Sequence, residues 1–199
     1  MTSSRLRSST SGRCPVDAWC HSSHDVATAE VSAESVSLRD WETTERLLDS
    51  GGYESRQRVL ASEPAVEPSE SGARTLGVVY WRAVERFTRG GIRAGWTGSG
   101  GRLRLLGAVG LLSFGPAELE TGDGFVSCRH AVVGGLLALR AGGSVTLAQQ
   151  TVEGGHELSV TVEEYLPRLD GLLYAKGQSP FHAAVSRRYF ELLTGGRIS

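Results

Sequence analysis

Three acid or base side chains interrupt apolar strand patterns in this sequence: His130, Glu164 and Glu85. Alternate residues of a strand share a face, so each group is expected to lie among apolar side chains. A buried carboxylate or imidazole needs a partner, or its pKa shifts until the group is neutral. Such groups serve as general acids and bases, so we expect these three to be catalytic. Their neighbours on the same faces are Val126, Cys128 and Val132, then Leu158, Val160 and Val162, then Trp81, Ala83 and Phe87.

Four further side chains are candidates for ligand contacts: Trp81, Trp96, Cys128 and Gln149. A curved sheet would bring their strand faces to one interior, and apolar walls with a few polar groups are the usual form of a small-molecule site. Structural roles are the alternative, since histidine and aromatic residues also pack in cores and both carboxylates lie near strand ends. A β-bulge would also reverse the facing of every later residue.

Known cofactor and metal motifs are incomplete in this chain. The glycine-rich string Gly98–Gly101 is followed by a strand pattern rather than a helix, so it is predicted to be a hairpin turn. The spacing of Cys14, Cys20, His21 and His24 does not match a usual zinc site. We therefore expect no cofactor and no bound metal.

Short apolar segments separated by glycine turns predict consecutive strands between residues 76 and 165. The turns leave no room for helical crossovers, so the sheet is expected to be antiparallel, and curved or closed into a small β-barrel. The expected strands are Leu76–Thr88, Ile92–Trp96, Arg102–Leu106, Gly110–Phe114, Ala117–Thr121, Phe125–Val133, Leu136–Leu139, Ser144–Gln150 and Glu157–Tyr165. A helix also fits the first of these segments, because its apolar residues recur at steps of three and four.

Helices and an N-terminal arm complete the expected organisation. A Ser-Pro pair opens an apolar stripe that predicts a C-terminal helix over 179–194. Residues 1–74 are serine-rich and acidic and lack a core pattern, so they are expected to form a largely disordered arm with a short helix over 38–49. Glycine is concentrated in the remainder, which places the folded domain at 75–199.

Composition narrows the class of protein. The chain has 199 residues and a formal net charge of −1, which suits one domain with a tail and argues against a dedicated nucleic-acid binder. Its three cysteines do not make a disulfide framework. Residues 1–24 lack the apolar stretch of a secretory signal, and the longest apolar run, 131–139, falls short of the roughly 20 residues that span a membrane. We expect a cytoplasmic protein without nucleic-acid or membrane partners.

Lys176 is the only lysine and asparagine is absent, which indicates a bacterium with a GC-rich genome.

A curved antiparallel sheet followed by a C-terminal helix resembles small ligand-binding barrels such as lipocalins. It is also similar to helix-grip proteins, whose sheet wraps a long C-terminal helix and which usually have helices early in the sheet. The resemblance implies that the protein is a carrier, or a cyclase that acts on natural-product intermediates. We therefore expect a cofactor-free bacterial cyclase or isomerase acting on a small apolar metabolite in natural-product biosynthesis. The alternatives are a non-catalytic carrier or sensor, and an interaction module working through the acidic arm; a homodimer is the expected assembly if the chain associates.

Overall fold

The computed structural model describes residues 37–168 and 171–196, with the backbone alone for 171–179. Eight strands and two helices make up this part of the chain. They follow in the order β1 (Leu38–Leu47), β2 (Tyr53–Ala61), α1 (Glu70–Phe87), β3 (Ile92–Thr97), β4 (Gly100–Leu105), β5 (Val109–Gly122), β6 (Phe125–Gly134), β7 (Ser144–Val152), β8 (Gly155–Tyr165) and α2 (Gly171–Thr194).

All eight strands form one antiparallel sheet in the order β1-β2-β8-β7-β6-β5-β4-β3. The sheet is open, with β1 and β3 at its edges. Register shifts in the β1–β2, β2–β8, β4–β5 and β5–β6 pairs mark bulges, which bend strands. The prediction of a mainly β protein with a curved antiparallel sheet and a C-terminal helix is therefore confirmed, in its open form rather than as a closed barrel.

The prediction of a strand over Leu76–Thr88 is wrong, because this segment belongs to helix α1. Ser69 caps the helix by accepting a hydrogen bond from Gly72 N at 3.1 Å. The buried residues of α1 recur at helical spacing, and they pack against β3, β5, β6 and β7. The chain therefore has a helix between β2 and β3, early in the sheet.

The prediction of a short helix over 38–49 is also wrong, since this segment is the edge strand β1. Only Leu38 is buried in β1, so the strand shows no alternating pattern that would reveal it. Strands β1 and β2 belong to the main sheet, so the boundary expected at 74 and 75 does not separate an arm from a domain. The expected disorder of residues 1–36 lies outside the described residues.

Helix α2 confirms the C-terminal helix but begins at Gly171, with Pro180 inside it rather than at its start. It packs against α1 and β2. The two short strands expected at 110–114 and 117–121 are one long strand, β5. The strand expected over Leu136–Leu139 is wrong: this segment is a loop with a single bridge, from Ala138 to Pro167.

Candidate functional site

The inner face of β6 carries the first part of the candidate site. His130 and Cys128 are 3% and 1% exposed, as the alternating pattern predicts. His130 Nε2 lies 3.3 Å from Cys128 Sγ. Helix α1 covers the pair at Gly77, where a Cβ atom would come within 3.0 Å of the sulfur. The close approach of helix and sheet therefore depends on a glycine at this position.

Three aromatic rings surround the imidazole of His130. The ring centroid of Trp96 lies 4.5 Å away, that of Trp81 5.5 Å and that of Phe114 6.4 Å. Trp81 and Trp96 are themselves 5.0 Å apart. The fold therefore brings four of the sequence-predicted site residues together in one aromatic cluster, namely His130, Cys128, Trp81 and Trp96.

Burial keeps both members of the Cys128–His130 pair neutral. Loss of hydration lowers the pKa of His130 to about 4, against the opposing charge of Glu118. Loss of hydration also raises the pKa of Cys128 to about 11, although Arg74 and the backbone of Gly77 oppose this. A nucleophilic cysteine needs a thiolate, which a neighbouring imidazolium normally stabilises. At neutral pH this pair is a thiol beside a neutral imidazole, which suits packing better than nucleophilic catalysis.

Glu85 does not lie on a strand beside His130. It belongs to α1, is partly buried, and its Oε1 accepts a hydrogen bond from Ala94 N at 2.8 Å. The carboxylate thereby joins the end of α1 to β3. The expected convergence of Glu85 with His130 on one interior is wrong, because a helix replaces the strand that was to position it.

Glu164 points away from the interior, so its expected convergence with His130 is also wrong. The residue is exposed and has a φ of 48°, in the left-handed region. The inward alternation of β8 runs through Val162 and then shifts to Tyr165, which is 3% exposed. The register between β2 and β8 shifts at the same place, between Tyr53 and Ser55. A bulge therefore turns Glu164 outward.

Gln149 is buried, as expected, but its amide binds the protein's own backbone. Its Oε1 accepts hydrogen bonds from Ala65 N at 2.8 Å and Val66 N at 3.0 Å, and its Nε2 donates to Val66 O at 2.7 Å. The side chain fastens the segment before α1 to β7. These bonds use both ends of the amide, which leaves it poorly suited to contact a ligand.

An apolar cavity of about 70 Å³ lies between α1, α2 and the sheet. On the usual volume per buried water it has room for about five water-sized groups. Trp81 and Phe114 connect its wall to the aromatic cluster around His130. The lining residues are Tyr80, Trp81, Val84, Ile92, Leu103, Leu111, Leu112, Phe114, Val132, Leu137, Val145, Val162, Tyr165, Phe181 and His182.

His182 is the functional candidate that sequence reasoning missed. It lines the cavity from α2, and loss of hydration lowers its pKa to about 4 against the opposing charge of Glu45. Burial also raises the pKa of Tyr80, so the cavity wall carries neutral polar groups only. The sequence offers little signal for His182, because a single histidine on a helix says nothing about which side faces a cavity.

Several polar atoms around this interior have no hydrogen-bond partner in the described part of the chain. They are the indole nitrogens of Trp81 and Trp96, Nδ1 of His130 and the hydroxyl of Tyr189. Buried polar atoms without partners are uncommon in folded proteins, and ordered water or a ligand usually satisfies them. Of these residues, Trp81 also lines the cavity described above.

Cys14, Cys20, His21 and His24 lie outside the described residues. Within the described ranges, no helix combines the length and apolar character needed to cross a bilayer.

Comparison with solved structures shows a structural likeness. No family model matches the chain, and no curated protein matches it. The crystal structure of CalU16 from Micromonospora echinospora is similar, with 12% sequence identity, 78% of this chain and 81% of that chain covered, and a TM-score of 0.35.

Proposed function

We propose that this protein binds a small apolar molecule, or the apolar end of a larger one, in the cavity between α1, α2 and the sheet, as a carrier or sensor. The observation that carries the proposal is the lining: aliphatic and aromatic side chains, with two tyrosines and His182 as its titratable groups. Apolar walls with few polar groups are typical of small-molecule sites. A cavity of about 70 Å³ takes a short alkyl group or part of a ring, so a larger ligand would displace Phe181 or His182.

The carrier or sensor role fits the chemistry of the site better than catalysis does. Glu85 binds Ala94 N, Glu164 faces outward, and His130 packs among aromatic rings. A general base works best with a pKa near the working pH, whereas the pKa of His182 lies near 4. Binding alone needs none of these groups to titrate.

A cofactor-free cyclase or isomerase of natural-product biosynthesis is the second candidate. The position of His182 favours it, because a neutral imidazole in an apolar wall can polarise or orient a bound substrate. Holding a flexible substrate in a reactive shape can by itself lower a barrier by about 7–11 kcal/mol. Turnover of a candidate metabolite that His182→Gln abolishes, with the metabolite still bound, would establish this function over a carrier.

Native mass spectrometry of protein purified from its own producer tests the binding proposal. We expect a retained small molecule on the wild type that Leu112→Phe loses, because the larger side chain fills the cavity. Leu119→Phe is the matched control, since Leu119 lies on the same strand and outside the cavity lining. No retained mass, or equal retention by both variants, would argue against a ligand in this cavity.

A further inference from the structure

Three connecting segments lie at one end of the sheet, and backbone hydrogen bonds link them. These are the α1–β3 loop at 88–91, the β4–β5 turn at 106–108 and the β6–β7 loop at 135–143. Leu106 N donates to Gly91 O at 2.7 Å, which joins the first two. Leu136 N donates to Gly110 O at 3.4 Å, which joins the third to the start of β5.

This end exposes an unusual amount of apolar surface. Every residue from 105 to 110 is exposed, and all six are aliphatic or glycine. We call Leu105, Leu106, Val109, Leu136 and Leu139 the apolar tip; their exposed fractions run from 41% to 78%. Val78 is the only large exposed hydrophobic residue, among those described, that does not lie toward this end of the fold. A contiguous exposed apolar patch in a folded protein usually marks an interaction site.

Leu106 sits at the turn in a conformation that leucine disfavours. Its φ is 50°, in the left-handed region where glycine, asparagine and aspartate are favoured, and its side chain is 78% exposed. The leucine therefore adds strain without the stabilisation that burial would give. An exposed leucine in a strained conformation indicates that its side chain contacts another molecule.

Unpaired arginines surround the apolar tip. Arg104 precedes it, Arg93 lies opposite Arg104 across β3 and β4, and Arg140 follows Leu139. Arg86 and Arg89 lie beside the loop that binds Leu106. All five are exposed, and none forms an ion pair with a described carboxylate.

The acidic groups at this end of the sheet lie on the side of β1, β2 and β8, away from β3, β4 and β5. Asp49 is in the β1–β2 turn, and Glu163 and Glu164 are near the end of β8. At the opposite end of the sheet, the β5–β6 and β7–β8 turns carry Asp123 and Glu153. The β7–β8 turn also binds Arg39, which donates to Gly154 O at 3.0 Å. The unpaired arginines therefore lie beside the apolar tip, while the carboxylates at this end lie on the side of β1 and β8.

We propose that the apolar tip docks this protein on an anionic lipid bilayer. Exposed aliphatic side chains inserted at the headgroup boundary, with arginines beside anionic headgroups, are the features of a peripheral membrane surface. Such docking needs no spanning segment, so it is compatible with a sequence whose longest apolar run is too short to cross a bilayer. A symmetric contact between two copies fits less well, because it would place the same unpaired arginines against each other.

Vesicle sedimentation with the full chain tests this proposal. We expect binding to vesicles of phosphatidylcholine and phosphatidylglycerol that weakens with salt and is much weaker on phosphatidylcholine alone. Leu106→Asp should reduce the partition coefficient about tenfold, since it removes an inserted side chain and adds a repelled charge. Aspartate suits the left-handed turn, so this variant should keep the wild-type melting temperature. Ser99→Asp adds the same charge in the β3–β4 turn at the opposite end, and should change the partition coefficient less than about twofold.

Three outcomes would overturn the proposal. The first is no preference of the wild type for anionic vesicles. The second is an equal effect of Leu106→Asp and Ser99→Asp. The third is a wild-type dimer in analytical ultracentrifugation that Leu106→Asp dissociates, which would assign the tip to self-association.

Discussion

Cys128 Sγ lies 3.3 Å from His130 Nε2 on the inner face of β6, and the ring of Trp96 packs against the same imidazole at 4.5 Å. The pair is two residues apart in sequence and shares a strand face, so the geometry follows directly from the pleat. Its chemistry follows from burial, which favours the neutral form of both groups. The contact therefore stabilises the interior most when neither group is ionised.

Acid should destabilise the protein through His130. The unfolded imidazole takes up a proton below about 6.5, whereas the folded one does so only near 4. The unfolded state binds more protons across this window, so the free energy of unfolding falls as the pH drops through it, by on the order of 3 kcal/mol. His182 contributes in the same direction.

Urea unfolding of the wild type and His130→Gln at pH 7 and pH 4.5 checks this. The relevant quantity is the difference between the two pH values for each protein, which cancels any general loss of stability in the variant. We expect a smaller difference for His130→Gln than for the wild type, and a smaller one again for the double variant His130→Gln/His182→Gln. An unchanged difference in His130→Gln would mean that the pKa of the imidazole is the same in the folded and unfolded states.

Removing the Gln149 side chain should destabilise the protein by about 2–4 kcal/mol. Gln149→Ala leaves the backbone N–H groups of Ala65 and Val66 and the carbonyl of Val66 without their partners. Gln150→Ala is the matched control, because Gln150 is exposed and should contribute less than about 0.5 kcal/mol. Similar unfolding free energies for both variants would show that the segment before α1 is held by other contacts.

Two substitutions of Tyr189 should change the free energy of unfolding differently. The residue is 1% exposed, with its ring 5.4 Å from that of Tyr80, so Tyr189→Ala should cost about 3–5 kcal/mol. Its hydroxyl has no partner among the described residues, so Tyr189→Phe should leave stability unchanged or raise it by about 1 kcal/mol. Thermal or urea unfolding distinguishes the two. A large loss in Tyr189→Phe would reveal a hydrogen bond to water or a ligand.

Glu164→Gly should stabilise the protein by roughly 0.5–1 kcal/mol. The backbone of Glu164 is left-handed, which glycine adopts without strain, and the exposed side chain makes no contact with the interior that the substitution would remove. Glu164→Gln keeps the Cβ atom and should leave unfolding unchanged. Neither substitution should affect ligand binding in the cavity. Loss of binding or turnover in Glu164→Gln would restore the catalytic role that the sequence pattern indicated.

The strands from β3 to β8 were largely predictable, since glycine turns separate them and each has residues that are buried or partly buried. On β6 the alternation placed Cys128 and His130 correctly, because no bulge intervenes. On β8 the same reasoning misplaced Glu164, because one extra residue shifts the facing without changing the pattern of residue types.

The elements before β3 were not predictable in the same way. In α1, aromatic and aliphatic residues fit both the helical and the alternating pattern, so the period alone could not decide between them. In β1, exposure on both sides removes the alternating signal altogether. His182 reaches the cavity only through the packing of α2 on α1, a relationship between distant segments that local sequence does not encode.

Calorimetric titration with propanol, butanol and pentanol, whose chains match the size of the cavity, tests it most directly. We expect the wild-type affinity to rise about fourfold per added methylene until the cavity is full, as apolar burial predicts. Leu112→Phe should lose this dependence while Leu119→Phe retains it. Wild-type affinity that is independent of chain length, or that survives intact in Leu112→Phe, would contradict binding in this cavity.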